Sequence, residues 1–171
     1  HPDFDHLPSL EEYAEKKILP NRVTVGLWFH QSHWQGGDTG FIDVTIREIE
    51  AQGANVLPVF FTGSKNLKLG VNGLEWVVDN YFLKDGKPTI DVVLSMFSFS
   101  FSTCLSGADA APVLKKLNVP IIKAILTCNT YHEWRDTMQG LNIMDIPANV
   151  ALPEFDGALI TVPVAAMDCC Q

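Results

Sequence analysis

Short apolar runs alternate along this chain with stretches in which apolar residues recur at helical spacing. Val23–Phe29 is apolar almost throughout and predicts a strand buried on both faces, as central parallel strands are. Asn55–Phe61, Ile90–Phe97, Val119–Leu126 and Leu159–Val164 predict four more strands. Between them lie helical patterns. Ser9 followed by Glu12 has the spacing of a capping box and predicts a helix over Leu10–Lys17. Phe41–Gln52 carries a core stripe of Ile42, Ile46 and Ile49 and stops at Gly53. Val71–Tyr81 reads as a helix interrupted by Gly73. Asp109–Leu117 has Pro112 in its first turn. Tyr131–Met138 and Met144–Val150 complete the set. His1–Pro20 is a leading segment, Thr62–Leu69 a loop, and Lys84–Pro88 a turn.

Strand and helix in alternation imply an α/β fold with a mostly parallel sheet of about five strands, covered on both faces. The expected architecture is a Rossmann-like or flavodoxin-like three-layer sandwich, with 2-1-3-4-5 as the default strand order. Pro58 interrupts the second strand. Proline lacks the N–H a ladder needs, so this strand is expected at an edge. The length of 171 residues suits one domain, residues 1–171.

Composition narrows the function. With 47% apolar residues the chain can build a full core. No apolar run approaches the ~20 residues that a bilayer span requires. A net charge of −8, with scattered bases, disfavours a nucleic-acid partner. The four cysteines Cys104, Cys128, Cys169 and Cys170 form no C-x-x-C pair. Cys104 and Cys128 read as reduced thiols in a cytoplasmic protein, and the terminal pair as a tail without a role. The chain begins at His1, with neither an initiator Met nor a signal peptide, so a piece of a longer protein is expected.

The candidate chemistry gathers in loops that such a fold places at the carboxyl ends of the strands, where ligands bind. These are His30–Gly40, Thr62–Asn66, Ser98–Gly107 and Thr127–His132. The first is the richest, with His30, His33, Trp34, Asp38 and Thr39 between a strand and a helix. His30 fits a strand end, and His33 a functional position. Asp38 or Thr39 is the expected N-cap of the next helix. Phosphate-loop and dinucleotide fingerprints are absent from the loop, as is a nucleophile elbow from the chain. Phe99, Phe101 and Tyr131 add aromatic faces, which suit a flat conjugated ligand or a docking surface. Ser98–Ser102 alternates in polarity and fits an extension of the third strand. Leu152–Gly157 reads as a turn, with Glu154 and Asp156 flanking Phe155; either carboxylate could accept a proton or hold a hard cation.

Several of these stretches, in one colinear order, resemble the large subunit of cobaltochelatase (CobN) and its relative, the H subunit of magnesium chelatase. They are His1-Pro2-Asp3, Ser9–Tyr13, Val25–Phe29 running into Ser32-His33-Trp34, Gly37-Asp38-Thr39, Ile42-Asp43 with Ile46-Arg47, and Asn55–Phe60. Asp91–Val93, Leu117–Pro120, Glu133-Trp134, Gly140-Leu141 and Asn149–Gly157 follow. The Ser-His-Trp form is more similar to the cobalt branch. The resemblance implies an internal domain of a tetrapyrrole-binding subunit that inserts a divalent metal, Co²⁺ in first place and Mg²⁺ as the alternative. ATP would be handled by AAA+ partner subunits, in keeping with the missing phosphate motifs. It makes Glu154, within Pro153-Glu154-Phe155-Asp156-Gly157, the first candidate for taking ring protons, with His33 second; both are candidate metal ligands. Trp34, Phe99 and Tyr131 would contact the ring, and Asp38 and Thr39 would order their loop. The domain alone is expected to be inactive. A scaffold for subunit assembly is the competing expectation.

Overall fold

The computed structural model describes residues 1–62, 71–101, 110–138 and 140–166. The chain opens with helix α1 (Leu10–Lys17), which Ser9 caps by accepting the Glu12 N–H. Strand β1 (Thr24–His30) follows, then α2 (Gln31–Gly36), α3 (Gly40–Ala51) and β2 (Asn55–Phe61). Helix α4 (Leu74–Val77) widens into a π-helical turn, Val78–Phe82. A small hairpin, β3 (Leu83–Lys84) and β4 (Lys87–Pro88), leads to β5 (Val92–Ser95). After these come α5 (Ala111–Leu117), β6 (Ile121–Thr127) and α6 (Tyr131–Asp136). A second π-helical turn (Ile146–Ala151), α7 (Leu152–Phe155) and β7 (Leu159–Ala166) close the described chain.

The five long strands form one parallel sheet in the order β2-β1-β5-β6-β7. Without the hairpin, this is the expected flavodoxin-like order. β1 lies near the middle, and Gly26, Leu27, Trp28 and Phe29 are all buried. Its side chains feed two cores. Trp28 joins Phe61, Phe82, Val93 and Phe101 on one face; Leu27 and Phe29 join Ile42, Ile46 and Met96 on the other. Gly26 is required there, because a Cβ would lie 2.7 Å from Ile90 Cδ1 and 3.1 Å from Phe82 Cε1.

β2 is an edge strand, as Pro58 requires. The Asn55 N–H donates to the Val23 carbonyl, so alternation turns Pro58 away from β1, where no ladder donor is missed. The leading segment covers part of this edge. The Tyr13 hydroxyl donates to the Val56 carbonyl at 2.6 Å, and burial raises its pKa. Asp3 pairs with Arg47 and Lys17, and His1 Nε2 contacts Glu50 at 2.9 Å, fastening the segment to α3. The Arg47 guanidinium, followed by the Lys17 ammonium, holds the Asp3 carboxyl well below the usual range.

Several boundaries differ from expectation. The 30–40 stretch is no open loop, because Gln31–Gly36 is helical with His30 as its N-cap. The second expected helix begins only after Gly73. The third strand stops at Ser95 rather than Phe97, and Ser98–Ser100 is a pinned loop, not a strand extension. Leu152–Phe155 is helical rather than a turn. Asp109, Cys104, Cys169, Cys170 and most of the loops after β2 and β5 lie outside the described residues. Cys128 is a free, exposed thiol. The outer edge is also less covered than a three-layer sandwich suggests, with Leu159, Val162 and Val164 of β7 at least half-exposed.

The unexpected core residue is Lys123 in β6, 1% exposed beside Ile121 and Ile125 on the face that holds Trp28. Its Nζ donates to the Ala124 carbonyl at 2.8 Å, where β5 has already ended. No carboxylate pairs with it among the described residues, and burial pushes its pKa down to about 7 from 10.5. Between those two values the unfolded chain holds a proton that the folded chain lacks. Stability therefore falls by about 1.4 kcal/mol per pH unit as the pH drops through that window, and levels off below it. Lys123→Met is expected to raise the thermal midpoint at pH 7 by several degrees and to flatten its dependence between pH 7 and 10. An unchanged midpoint in a thermal melt series would contradict the cost assigned to this amine.

Candidate functional site

At the end of β1 the chain turns directly into α2. His30 Nδ1 accepts the Ser32 N–H at 3.1 Å and so caps the helix. The His30 ring packs edge-on against Phe97 at 5.7 Å, and burial, with the neighbouring His33, lowers its pKa. Gly37 ends the helix at φ 72°, a conformation that favours glycine. This brings the Asp38 N–H to the His33 carbonyl at 2.9 Å and Asp38 Oδ2 to within 3.4 Å of His33 Nδ1. The two residues singled out in this stretch thus form one imidazole–carboxylate pair, braced by Phe41 against the His33 ring at 5.0 Å. Thr39 stands at the N-cap position of α3, but neither it nor Asp38 supplies a side-chain cap bond there. Trp34, on α2, lies flat on Phe60 of β2 with ring centroids 5.4 Å apart.

A second polar cluster joins the ends of β5 and β6. Asp145 is fully buried, and its carboxylate accepts the Thr127 hydroxyl at 2.6 Å and the Cys128 N–H at 3.1 Å. Asn149, also buried, donates to Asp145 at 3.4 Å and to the Leu126 carbonyl at 3.3 Å, and accepts the Ser98 hydroxyl at 3.1 Å. Asp156 accepts the Ser100 hydroxyl at 2.9 Å and the Phe101 N–H at 2.6 Å. The Ser98–Phe101 segment is therefore tied on both sides of Phe99. Phe99 itself has φ 69°, strained for a bulky residue, and is 52% exposed. Its N–H donates to the Ala148 carbonyl at 2.6 Å.

Tyr131 opens α6, whose capping box is made by Thr130 and Glu133. The Thr130 N–H and hydroxyl both donate to the Glu133 carboxylate and lower its pKa. The guanidinium of Arg135 lies 5.3 Å from the Tyr131 ring centre. Glu154 is exposed on α7, the element that leads into β7. Of the two acids in that segment, Asp156 makes the structural contacts, and Glu154 faces solvent. Its helix belongs to the outer strand β7, whereas His33 follows β1. Two strands separate these, a span of ~14 Å. Among the described residues, no group of three or more His, Cys, Asp and Glu side chains is placed to hold a metal ion.

A groove of about 410 Å³ runs along the β2 edge, with Trp34, Phe60, Pro58 and Trp76 among its walls and the leading segment on its far side. Of the residues singled out beforehand, Trp34 lines it; His33, Asp38, Thr39, Phe99, Tyr131 and Glu154 do not. Sequence reasoning missed Phe60 and Trp76 as a surface. It also passed over Asp145, Asn149 and Lys123, although a lysine within Ile121–Leu126 is a visible break in an apolar run.

Replacing Asp145 by Ala would leave a buried hydroxyl and a backbone N–H without their acceptor. The expected loss is about 2–4 kcal/mol in urea unfolding, with a smaller loss for Asp145→Asn, which keeps the shape. Equal stability of Asp145→Ala and the parent would show that the cluster does not join the two loops.

The family model described as CobN/Magnesium Chelatase matches residues 1–171. The chloroplastic magnesium-chelatase subunit ChlH of Oryza sativa is 34% identical over 153 residues, covering 87% of this chain and 11% of that protein. The aerobic cobaltochelatase subunit CobN of a Sinorhizobium species is 32% identical over 143 residues, covering 83% and 10%. An uncharacterized protein of Methanocaldococcus jannaschii, MJ1441, is 33% identical over 156 residues, covering 88% and 13%. Among solved structures, the catalytic subunit of cobaltochelatase from Mycobacterium tuberculosis superposes with a TM-score of 0.66 at 21% identity, covering 86% of this chain and 12% of that one; this likeness concerns the fold. The chain thus spans about a tenth of the length of these relatives. With the family model matched from end to end and a five-stranded parallel sheet of the same fold, the chain belongs to the CobN/magnesium chelatase family.

Proposed function

We propose that the chain is a domain of the tetrapyrrole-binding large subunit of an ATP-dependent metal chelatase, with Co²⁺ insertion into a corrin precursor as the favoured reaction. The observation that carries this reading is the placement of three aromatic side chains. Trp34, Phe99 and Tyr131 are 45%, 52% and 46% exposed, on segments that follow the carboxyl ends of β1, β5 and β6. Aromatic faces held open at this edge suit a flat macrocycle. The strained backbone at Phe99, fixed by bonds on both sides, supports the same role. Ser32-His33-Trp34 favours cobalt over magnesium insertion; relatives of both kinds support the chelatase class itself. ATP hydrolysis is assigned to AAA+ partner subunits, and the compartment to the cytoplasm.

The chemistry asks for a base near the ring. Two pyrrole N–H protons must leave as the cation enters, and the cation must shed water first. Glu154, exposed and without a structural duty, is the proposed acceptor of those protons. His33 is the second candidate, its ring steadied by Asp38 and Phe41. Either group could hold the metal in transit, each with ligands from outside the described residues. Thr39 and Asp38 keep the turn between α2 and α3 in shape.

In the full-length protein, Glu154→Gln is expected to slow metal insertion by about 10²-fold or more, while tetrapyrrole affinity, followed by absorbance titration, stays within twofold. Unchanged turnover would remove Glu154 from the proton-transfer step. If the full-length protein binds the tetrapyrrole but this domain alone does not, and the Glu154 and His33 substitutions are both silent, a scaffold for subunit assembly is favoured.

A further inference from the structure

The groove along the β2 edge has features that the rim of the sheet lacks. Trp34 rests one face on Phe60, with the ring planes 9° apart, and remains 45% exposed. Trp76, also in the lining, stands edge-on to Tyr81 at 5.7 Å and is 43% exposed. The β2 edge in the same lining is poorly suited to adding another strand. The Val56 carbonyl is already taken by Tyr13, and Pro58 has no N–H to give. An extended peptide would find only a broken ladder there.

Charge also selects the occupant. His1 and His6 line the groove, yet His1 contacts Glu50 at 2.9 Å, and His6 contacts Asp5 at 2.8 Å and Glu12 at 3.3 Å. Among the described residues, no lysine, arginine, aspartate or glutamate lines it. The described lining therefore offers π faces and apolar area, and its two imidazoles are already engaged by carboxylates.

We propose that this groove binds one edge of a flat conjugated ring, stacked on the open face of Trp34 and bordered by Trp76, with the ionised substituents of the ring left in solvent. The inference rests on the chelatase reading, in that the ring is a tetrapyrrole. It goes further by placing that ring against β2 and by adding Phe60 and Trp76 as binding residues. The volume of about 410 Å³ suits part of a macrocycle, and the open side lets the rest lie outside.

The test is a titration of the full-length protein with deuteroporphyrin IX and with its dimethyl ester, read by porphyrin absorbance and tryptophan quenching. Trp34→Ala should weaken binding about tenfold, Trp34→Phe should restore most of it, and Trp34→Ala with Trp76→Ala together should weaken it about thirtyfold or more. The ester should bind as tightly as the diacid. Circular dichroism confirms that each variant is folded. If the parent binds the porphyrin and the Trp34→Ala,Trp76→Ala variant binds it within twofold, the groove is overturned and the chelatase reading stands. A diacid bound about tenfold or more tightly than the ester also overturns the groove as drawn. If the parent binds neither compound, both inferences fall.

Discussion

Burial of β1 on both faces is the constraint on which the rest of the structure depends. A strand that gives Trp28 to one core and Leu27 and Phe29 to the other must have helices on both sides. The crossover leaving β1 runs to β2 on one side, and the next, leaving β2, passes back to β5 on the other side of β1. That reversal opens the sheet at the carboxyl ends of β1 and β5, where His30 meets Phe97. Gly26 belongs to the same constraint, since Phe82 and Ile90 approach the strand closely enough to exclude a side chain. The polar residues at the rim are positioned by what lies beneath them. Where β5 stops at Ser95 the ladder opens, Lys123 fills the gap from below, and Asp145 and Asn149 gather the loose ends above.

The leading segment works on the other side of the molecule. An exposed edge strand invites pairing with other chains, and proteins blunt such edges by proline or by cover. Here Pro58 does the first and Tyr13 the second. The ion pairs of Asp3 with Arg47 and Lys17 hold the cover to α3. Individually such exposed pairs contribute little, but they flank a buried tyrosine and an aromatic stack of Phe4 on Tyr13. The result is an edge closed to strands and still open to a ring, with Trp34 and Trp76 as its exposed faces.

Much of the fold was legible because it is written in periodicity. The strand at Thr24–His30, the stripe of Ile42 and Ile46, and the edge position announced by Pro58 each follow from one local rule. The family was legible in the same way, as many weak matches in one order. The errors have physical causes. Gly36-Gly37 looked like a loop, but His30 caps a helix that ends there, a capping role that polarity alone does not reveal. The alternation in Ser98–Ser102 looked like a strand; Asn149 and Asp156, some fifty residues later, turn Ser98 and Ser100 into anchors. The candidate site was read as one convergent rim. The structure spreads it out: His33 is paired with Asp38, Trp34 reaches from the end of β1 into the edge groove, and Glu154 stands on the helix before β7. Long-range pairing of that kind has no signature in a single sequence.

The central claim is that a macrocycle meets this domain through aromatic faces positioned by the sheet. The most direct measurement is an experimental structure of the full-length protein with a porphyrin bound. The account predicts ring density in van der Waals contact with Trp34 and Trp76, beside an unpaired β2 edge. Density for the ring away from Trp34, Phe99 and Tyr131 alike, with the groove closed or filled by another part of the polypeptide, would contradict it.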